Sequence, residues 1–511
     1  MTDKQPTREV PEVVARARAA QPAWAALSAE ERVKRIAPLR DRVLGRAEAI
    51  AALVHDEVGK PVVEALLGEV LPTADVVDYW SSVIVELLDP EEVEIDAIAY
   101  PSKDATVQRE ARGVVGVIMP WNFPVALPLR TIVPALLAGN AVVFKPSEVT
   151  PRSGALIVEL FEGLLPEGLL GLVQGGGDAG AALCAADVDV VVFTGSVATG
   201  RKVAHACAER LVPCALELGG KDAAIVLGDA DLDRAAQGVV WGAMMNAGQN
   251  CASIERVYVE RSVSEAFTKK VREVVASLRP GVDVGPLATA AQRATVARHV
   301  EAAKSAGAEV LEGGDAGPAK GDAAKPAAGD ARAQGEAARA YPPTVVQVEG
   351  DDTPLMSDET FGPVLPIAVV DDVERAIERA NASRYGLTAS IWTRNKKKGR
   401  ALAARLRAGV VTVNNHGFTG AIPAMPWSGH GETGWGITGS PFALESLTRP
   451  RLVLVDRSRG KRELWWYPYT PALTAIALAM ATVRNHAAGL VARITAVFRL
   501  VSAMLARGRD A

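Results

Sequence analysis

Cysteine is scarce in this chain. Only Cys184, Cys207, Cys214 and Cys251 occur in 511 residues, without a Cys-x-x-Cys spacing, which excludes a disulfide framework and a structural zinc site; no metal centre is expected. An excess of either charge is also missing. Lys and Arg number 56 against 60 Asp and Glu, so a net charge of −4 offers no polycationic surface and no nucleic-acid partner is expected. No apolar run is long and unbroken enough for a confident membrane span. Residues 464–483 carry no charge, but Pro468 and Pro471 interrupt their first third. The polar start, Met-Thr-Asp-Lys-Gln-Pro, lacks the apolar core of a signal peptide, and with reduced thiols this predicts a cytoplasmic protein. A convincing Gly-x-Gly-x-x-Gly dinucleotide loop is missing too.

What is present is a length sufficient for two or three packed lobes, each with its own apolar interior. Residues 10–82 show apolar positions at three- and four-residue spacing, and Ser28-Ala-Glu-Glu31 has the form of a capping box. Short aliphatic runs then predict strands at 114–119, 141–144, 171–174 and 190–193, separated by helices near 130–138 and 153–165. A second series predicts strands at 223–227, 255–259, 365–370 and 389–392, with the lobe junction at 217–221. Such alternation predicts an α/β fold with parallel sheets covered on both faces. Residues 314–340 are mostly Ala, Gly, Asp, Lys and Arg, too poor in apolar surface to offset ordering entropy, and are expected to form a disordered insertion.

The last fifty residues differ. Leu490, Ile494, Val497, Phe498, Val501 and Leu505 share one helical face, with Arg493, Arg499 and Arg507 off its centre or at its end. This predicts a tail helix packed on its own protein or on a second subunit, with peripheral docking at a membrane surface as the alternative.

The chemistry centres on Asn246-Ala-Gly-Gln-Asn-Cys251, where small and polar residues bring a lone thiol to the end of a helical run. A free cysteine is usually a small buried hydrophobe, which remains the reading for the other three. Cys251 is distinguished by its company. Leu216-Glu217-Leu218-Gly219-Gly220-Lys221 sets a carboxylate in apolar surroundings, where desolvation raises its pKa towards that of a useful base. Met119-Pro-Trp121-Asn122-Phe123-Pro124 holds an amide in a rigid loop able to aim a donor.

Together these segments resemble the aldehyde dehydrogenase superfamily. The resemblance runs from about residue 10 to 456, the 314–340 insertion aside, and includes Phe144-Lys145-Pro-Ser-Glu148, Phe193-Thr-Gly195-Ser196-Val-Ala-Thr-Gly200 and Glu359-Thr-Phe361-Gly-Pro363. It implies a Rossmann-type cofactor-binding lobe (1–96 and 113–218), an α/β catalytic lobe (219–425), a small β oligomerisation flap (97–112 and 426–460) and a C-terminal extension (461–511). It implies Cys251 as nucleophile, Glu217 as general base and Asn122 as oxyanion donor, in oxidation of an aldehyde to a free acid through a thioester. It also implies NAD, with NADP as the alternative, held by Trp121, Lys145, Glu148, Gly195, Ser196, Gly200, Leu218, Glu359 and Phe361. A homodimer or homotetramer is expected, through the hairpin at 97–112 and a strand near 451–455.

The chain departs from the family's frequent Pro-Phe-Gly-Gly at Pro426-Trp427-Ser-Gly-His-Gly-Glu-Thr-Gly434, keeping only the glycine skeleton. His416, Phe418 and Trp427 fall where relatives form a substrate entrance, with loop packing as the plainer reading. The tail at 462–470 is similar to class 3 and fatty aldehyde dehydrogenases, which suggests a medium- or long-chain or aromatic aldehyde. Two alternatives stand beside this. A succinate-semialdehyde type would need a cationic anchor, a role for which Arg256 is too closely tied to its strand. A non-catalytic binding protein would not need Asn122, Glu217 and Cys251.

Overall fold

The computed structural model describes residues 6–97, 100, 102–314, 331–463 and 465–509. It contains three sheets. The short β1 (Glu91–Glu92) pairs antiparallel with β2 (Lys103–Ala111). A five-stranded sheet follows from β3 (Val114–Ile118), β4 (Ala141–Lys145), β5 (Leu170–Leu172), β6 (Val190–Thr194) and β7 (Cys214–Glu217), in the order β5-β4-β3-β6-β7. Every pair in it is parallel. β3 and β4 are buried along their whole length, as strands covered by helices on both faces must be, which is why they read as aliphatic runs rather than as an alternation.

A seven-stranded sheet is built from β8 (Asp222–Val226), β9 (Ile254–Glu260), β10 (Glu309–Glu312), β11 (Thr344–Val348), β12 (Val364–Val370), β13 (Thr388–Trp392) and β14 (Val410–Val413), in the order β10-β11-β12-β9-β8-β13-β14. Only the edge strand β10 runs antiparallel to its neighbour. Each of the two larger sheets has its own buried core, and the chain passes from one to the other between Glu217 and Asp222. The eight strands expected from the two aliphatic series all form within a few residues of their expected ends. The capping box also forms: Ser28 Oγ accepts from the Glu31 amide, and the Glu31 carboxylate accepts from the Ser28 amide at 2.8 Å.

The expected disordered insertion is corrected at its C-terminal end. Residues Ala331–Arg339 form a helix, because alanine, glutamate, glutamine and arginine favour helix without needing an apolar anchor. Its hold is polar: Arg339 donates to the carbonyls of Leu287 and Ala288 at 3.0 and 2.7 Å. Gly314 is likewise ordered, its amide 3.0 Å from Thr344 Oγ1. Residues 315–330 lie outside the described residues.

Residues 6–90 and 108–451 form one compact unit, and 91–107 with the chain from 452 onward another. Unit boundaries fall within β2 and within β15 (Thr448–Asp456), which join one sheet in the order β1-β2-β15, and the described part of the expected C-terminal extension lies in the second unit. Two helices, Pro471–Arg484 and Leu490–Arg509, pack against one another within it. Among the described residues no helix is long and apolar enough to cross a membrane. The apolar stripe of the second helix is exposed in the single chain: Leu490 and Phe498 are each 72% exposed.

Candidate active site

Cys251 lies just past a helix, Leu232–Met244, at the end of an irregular turn whose residues Asn246, Ala247 and Gly248 all have positive φ. Such backbone is strained for non-glycine residues and needs external support. Glu64 supplies part of it, its carboxylate accepting the Asn246 amide at 2.9 Å. Gln249 supplies another part, its amide group bonding both the Asn246 carbonyl and the Ala288 amide. A Cβ on Gly248 would lie 2.1 Å from the Gly362 carbonyl oxygen, so only glycine allows this turn to touch the Phe361 loop.

Cys251 lines a cavity of about 310 Å³ whose walls include Leu67, Val76, Phe123, Leu127, Trp241, Phe418 and Trp427, with Arg130 and Glu64 the only charged members. Burial, followed by the negative charges of Asp222, Glu217 and Glu359, pushes the Cys251 thiol well above its ordinary pKa. At rest it is therefore a neutral thiol.

Glu217 ends β7 and is buried, with one carboxylate oxygen lacking a hydrogen-bond partner. Desolvation raises its pKa to about 7, against the opposing pull of Arg130. It does not itself line the cavity but stands behind Arg130 and Thr438, which do. The segment that departs from the family pattern clamps this strand end. The Leu218 amide donates to the Thr433 carbonyl at 2.9 Å, the Gly436 amide to Leu216 at 2.8 Å, and Thr433 Oγ1 to Gly219 at 3.0 Å.

Asn122 is also buried, and its side-chain amide donates to the Gln249 carbonyl at 3.2 Å, two residues before the cysteine. Its backbone carbonyl accepts from Lys60 Nζ at 2.8 Å and from Asn246 Nδ2 at 3.0 Å. Lys60 in turn pairs with Glu69 at 2.5 Å, both side chains fully buried, and lies 3.8 Å from the Phe123 ring centre. The second Glu69 oxygen caps the amides of Val125 and Ala126 at the start of the helix Ala126–Leu137.

The residues expected to hold a dinucleotide gather along the C-terminal ends of the five-stranded sheet and beside Gly219. Lys145 ends β4, with Nζ 3.4 Å from the Glu148 carboxylate. Ser196 caps the helix Val197–Glu209, which presents free amides to an anion. A Cβ on Gly200 would lie 2.5 Å from Leu218, and one on Gly219 would lie 2.3 Å from Glu359. The cradle is therefore one that glycine keeps open. Glu359 accepts from the Gly220 amide at 3.1 Å and has a pKa raised to about 8, mainly by burial. Trp121 and Phe361 meet edge to face, ring centres 5.7 Å apart. The Phe361 loop hangs from a buried pair: Glu255 accepts the amides of Thr360 and Phe361, each at 2.7 Å, and pairs with Lys221 at 2.5 Å. Gly175-Gly-Gly177-Asp-Ala-Gly180 has the ordinary dinucleotide spacing but opens its helix after β5, the sheet's edge strand.

Of the three entrance residues, Phe418 and Trp427 line the cavity and His416 does not. His416 is buried against the cysteine turn, with Nε2 2.6 Å from the Ala252 carbonyl oxygen and a pKa lowered by burial to about 4. A neutral ring there donates to that carbonyl and props the turn from behind. Arg130 was missed by sequence reasoning. It donates to the carbonyls of Gly420 and Met425, the latter at 3.4 Å, which ties the Phe418 segment to the helix below Asn122. No cluster suited to a metal ion occurs among the described residues.

A parallel sheet ending in a buried carboxyl and a mainly parallel one flanked by a cysteine in an apolar cavity, with a glycine-kept cradle between, define a two-lobed α/β enzyme of the dehydrogenase type. The chain belongs to the aldehyde dehydrogenase family, whose sequence profile matches residues 2–453. It is 36% identical over 456 residues to the 4,4'-diapolycopene aldehyde oxidase of a Methylomonas species, covering 88% of this chain and 82% of that protein. It is 36% identical over 457 residues to a Mycobacterium ulcerans protein provisionally named succinate-semialdehyde dehydrogenase [NADP(+)] 2, covering 88% and 85%. Among solved structures, the Mycobacterium tuberculosis aldehyde dehydrogenase complexed with NAD+ has a TM-score of 0.81 and 32% identity over 88% of this chain and 90% of that one.

Proposed function

We propose that this protein oxidises an apolar aldehyde of medium or long chain, or an aromatic one, to the carboxylic acid, with Cys251 as nucleophile and Glu217 as general base. The observation that carries this reading is the apolar cavity that Cys251 lines together with Phe418 and Trp427. A wall of this kind favours a hydrocarbon by desolvation alone. The relationship to a protein named as a 4,4'-diapolycopene aldehyde oxidase points the same way.

The Cys251 thiol is held protonated by burial and gives up its proton to solvent as sulfur attacks, while Glu217, with a pKa of about 7, is matched to act as base on the later hydrolytic water near neutral pH. Addition of sulfur to the carbonyl gives a tetrahedral thiohemiacetal, whose oxyanion takes donors from the Asn122 side chain and the Cys251 amide. A nicotinamide held by the cradle residues would supply the acceptor for the hydride that leaves this carbon. Glu217 then takes a proton from the water that opens the thioester, so the acyl group departs as a free acid.

Lys145 and Glu148 would meet the adenosine ribose, Gly195, Ser196 and Gly200 the pyrophosphate, and Glu359 the nicotinamide ribose, with Trp121, Leu218 and Phe361 against the ring. The glycine-kept cradle fits such a group. Glu148 favours NAD, because a carboxylate accepts a 2′-hydroxyl and repels a 2′-phosphate, with NADP as the second cofactor. We place the protein in the cytoplasm, as a homodimer or homotetramer paired through β2 and β15.

One observation favours a second reading, a carboxylated semialdehyde: Arg130 is a cation in the cavity wall, the anchor such a substrate needs. An absorbance assay of nicotinamide reduction over aliphatic, aromatic and carboxylated aldehydes tests both. Turnover rising with alkyl length supports the first reading; preference for the carboxylated series replaces it with the second. Activity surviving in Cys251→Ala overturns both, and strong NADP preference overturns the role of Glu148.

A further inference from the structure

The helix Leu490–Arg509 is turned inside out. Its small residue Ala496 is 4% exposed, while Val491, Ile494, Val497, Phe498, Val501 and Met504 are presented to solvent along one side. A helix built only to pack on its own chain would place these large side chains inward and the alanine outward. Its inner contact includes Arg493, whose Nε donates to the Val483 carbonyl at 3.1 Å, so this orientation is pinned by a directional bond. Leu478 of the preceding helix adds to the exposed apolar area, as do Trp465, Trp466, Tyr467 and Tyr469 just before it.

Charge identifies what covers this surface. Between Trp465 and Arg509 there is no aspartate or glutamate, and there are five arginines: Arg484, Arg493, Arg499, Arg507 and Arg509. A symmetric pairing of two copies through this face would bring like charges together with no acidic partner within the segment. An anionic lipid surface offers the complement. Exposed aliphatic side chains enter the headgroup boundary, tryptophan and tyrosine take the interface, and arginine remains with lipid phosphate.

We propose that the C-terminal helical hairpin docks this enzyme peripherally on an anionic bilayer, the second helix lying in the plane of the surface with its Ile494, Val497, Phe498 and Val501 face in the lipid. The inference stands apart from the substrate reading, and its readout is binding.

The test is co-flotation of the full-length protein with vesicles of phosphatidylglycerol and phosphatidylethanolamine, beside vesicles of phosphatidylcholine alone, with sedimentation to give oligomeric mass. The wild type is expected to float with the anionic vesicles and to be released from them by high salt. Ile494→Glu/Phe498→Glu should reduce the bound fraction by about tenfold or more, since it removes apolar insertion and adds two like charges to the lipid. Arg484→Gln/Arg499→Gln keeps the apolar face and should lower binding to anionic vesicles only, so the proposal remains testable if the first variant misfolds. Turnover of a short water-soluble aldehyde should be unchanged in both. Failure of the wild type to float, equal binding to both vesicle types, or variants that bind as the wild type does would overturn the proposal. A fall in oligomeric mass in the first variant without vesicle binding by the wild type would overturn it in favour of a second copy of the chain.

Discussion

Lys60 donates a 2.8 Å hydrogen bond to the backbone carbonyl of Asn122, tying the proposed oxyanion donor to a fully buried ion pair. Lys60→Met would leave the Glu69 carboxylate buried without its partner, at a cost of about 3–5 kcal/mol. Denaturant unfolding should report that loss. Turnover should also fall, by less than the about 10²–10³ that removal of an oxyanion donor costs. An unchanged kcat in the folded variant would show that Asn122 is held without Lys60.

Glu217→Gln separates the two halves of the proposed reaction. The first-turnover burst of reduced cofactor should persist while steady-state turnover collapses, and stopped-flow absorbance would distinguish them. The same variant carries a stability signature. The folded pKa of Glu217, about 7, lies above the ordinary carboxylate value, so the native state binds the extra proton and wild-type stability declines as pH rises from about 4.5 to 7. The amide that replaces the carboxyl in the variant does not titrate. Thermal melts should coincide near pH 4.5, with the variant the more stable above pH 7 by on the order of 3 kcal/mol.

Arg130→Leu removes the positive charge that opposes the rise in the Glu217 pKa. The acid limb of the turnover profile should therefore move to higher pH than in the wild type. KM for a carboxylated aldehyde would rise selectively only on the semialdehyde reading, so one set of pH-dependent kinetics decides both points.

Gly219→Ala would put a methyl group 2.3 Å from the Glu359 carboxylate. Glu359 must move, and KM for the dinucleotide should increase while a direct thiol assay of Cys251 stays near wild type. Equal effects on both would place the disturbance in the cysteine turn instead.

The alternating strands and helices were legible because a parallel strand covered on both faces must be aliphatic throughout, as β3 and β4 are. The residues around Cys251, Glu217 and Asn122 were legible as motifs. Arg130, Lys60 and Glu64 were not: each reads as an ordinary charged residue, and only tertiary packing reveals that Arg130 and Lys60 are buried and that Glu64 lines the cavity. His416 misled for a related reason. Its position near Phe418 suggested the entrance, but the ring turns inward to the Ala252 carbonyl. At 331–339, low apolar content concealed a helix anchored by arginine and not by a hydrophobe.

Gly248 and Gly362 meet with no side chain between them. The turn ahead of Cys251 and the loop that carries Phe361 are thus in direct backbone contact. On the proposed mechanism, by whatever factor a dinucleotide against Phe361 alters acylation of Cys251 at equilibrium, acylation alters dinucleotide affinity by the same factor. The affinities for oxidised and reduced cofactor would then report whether the cysteine still carries an acyl group.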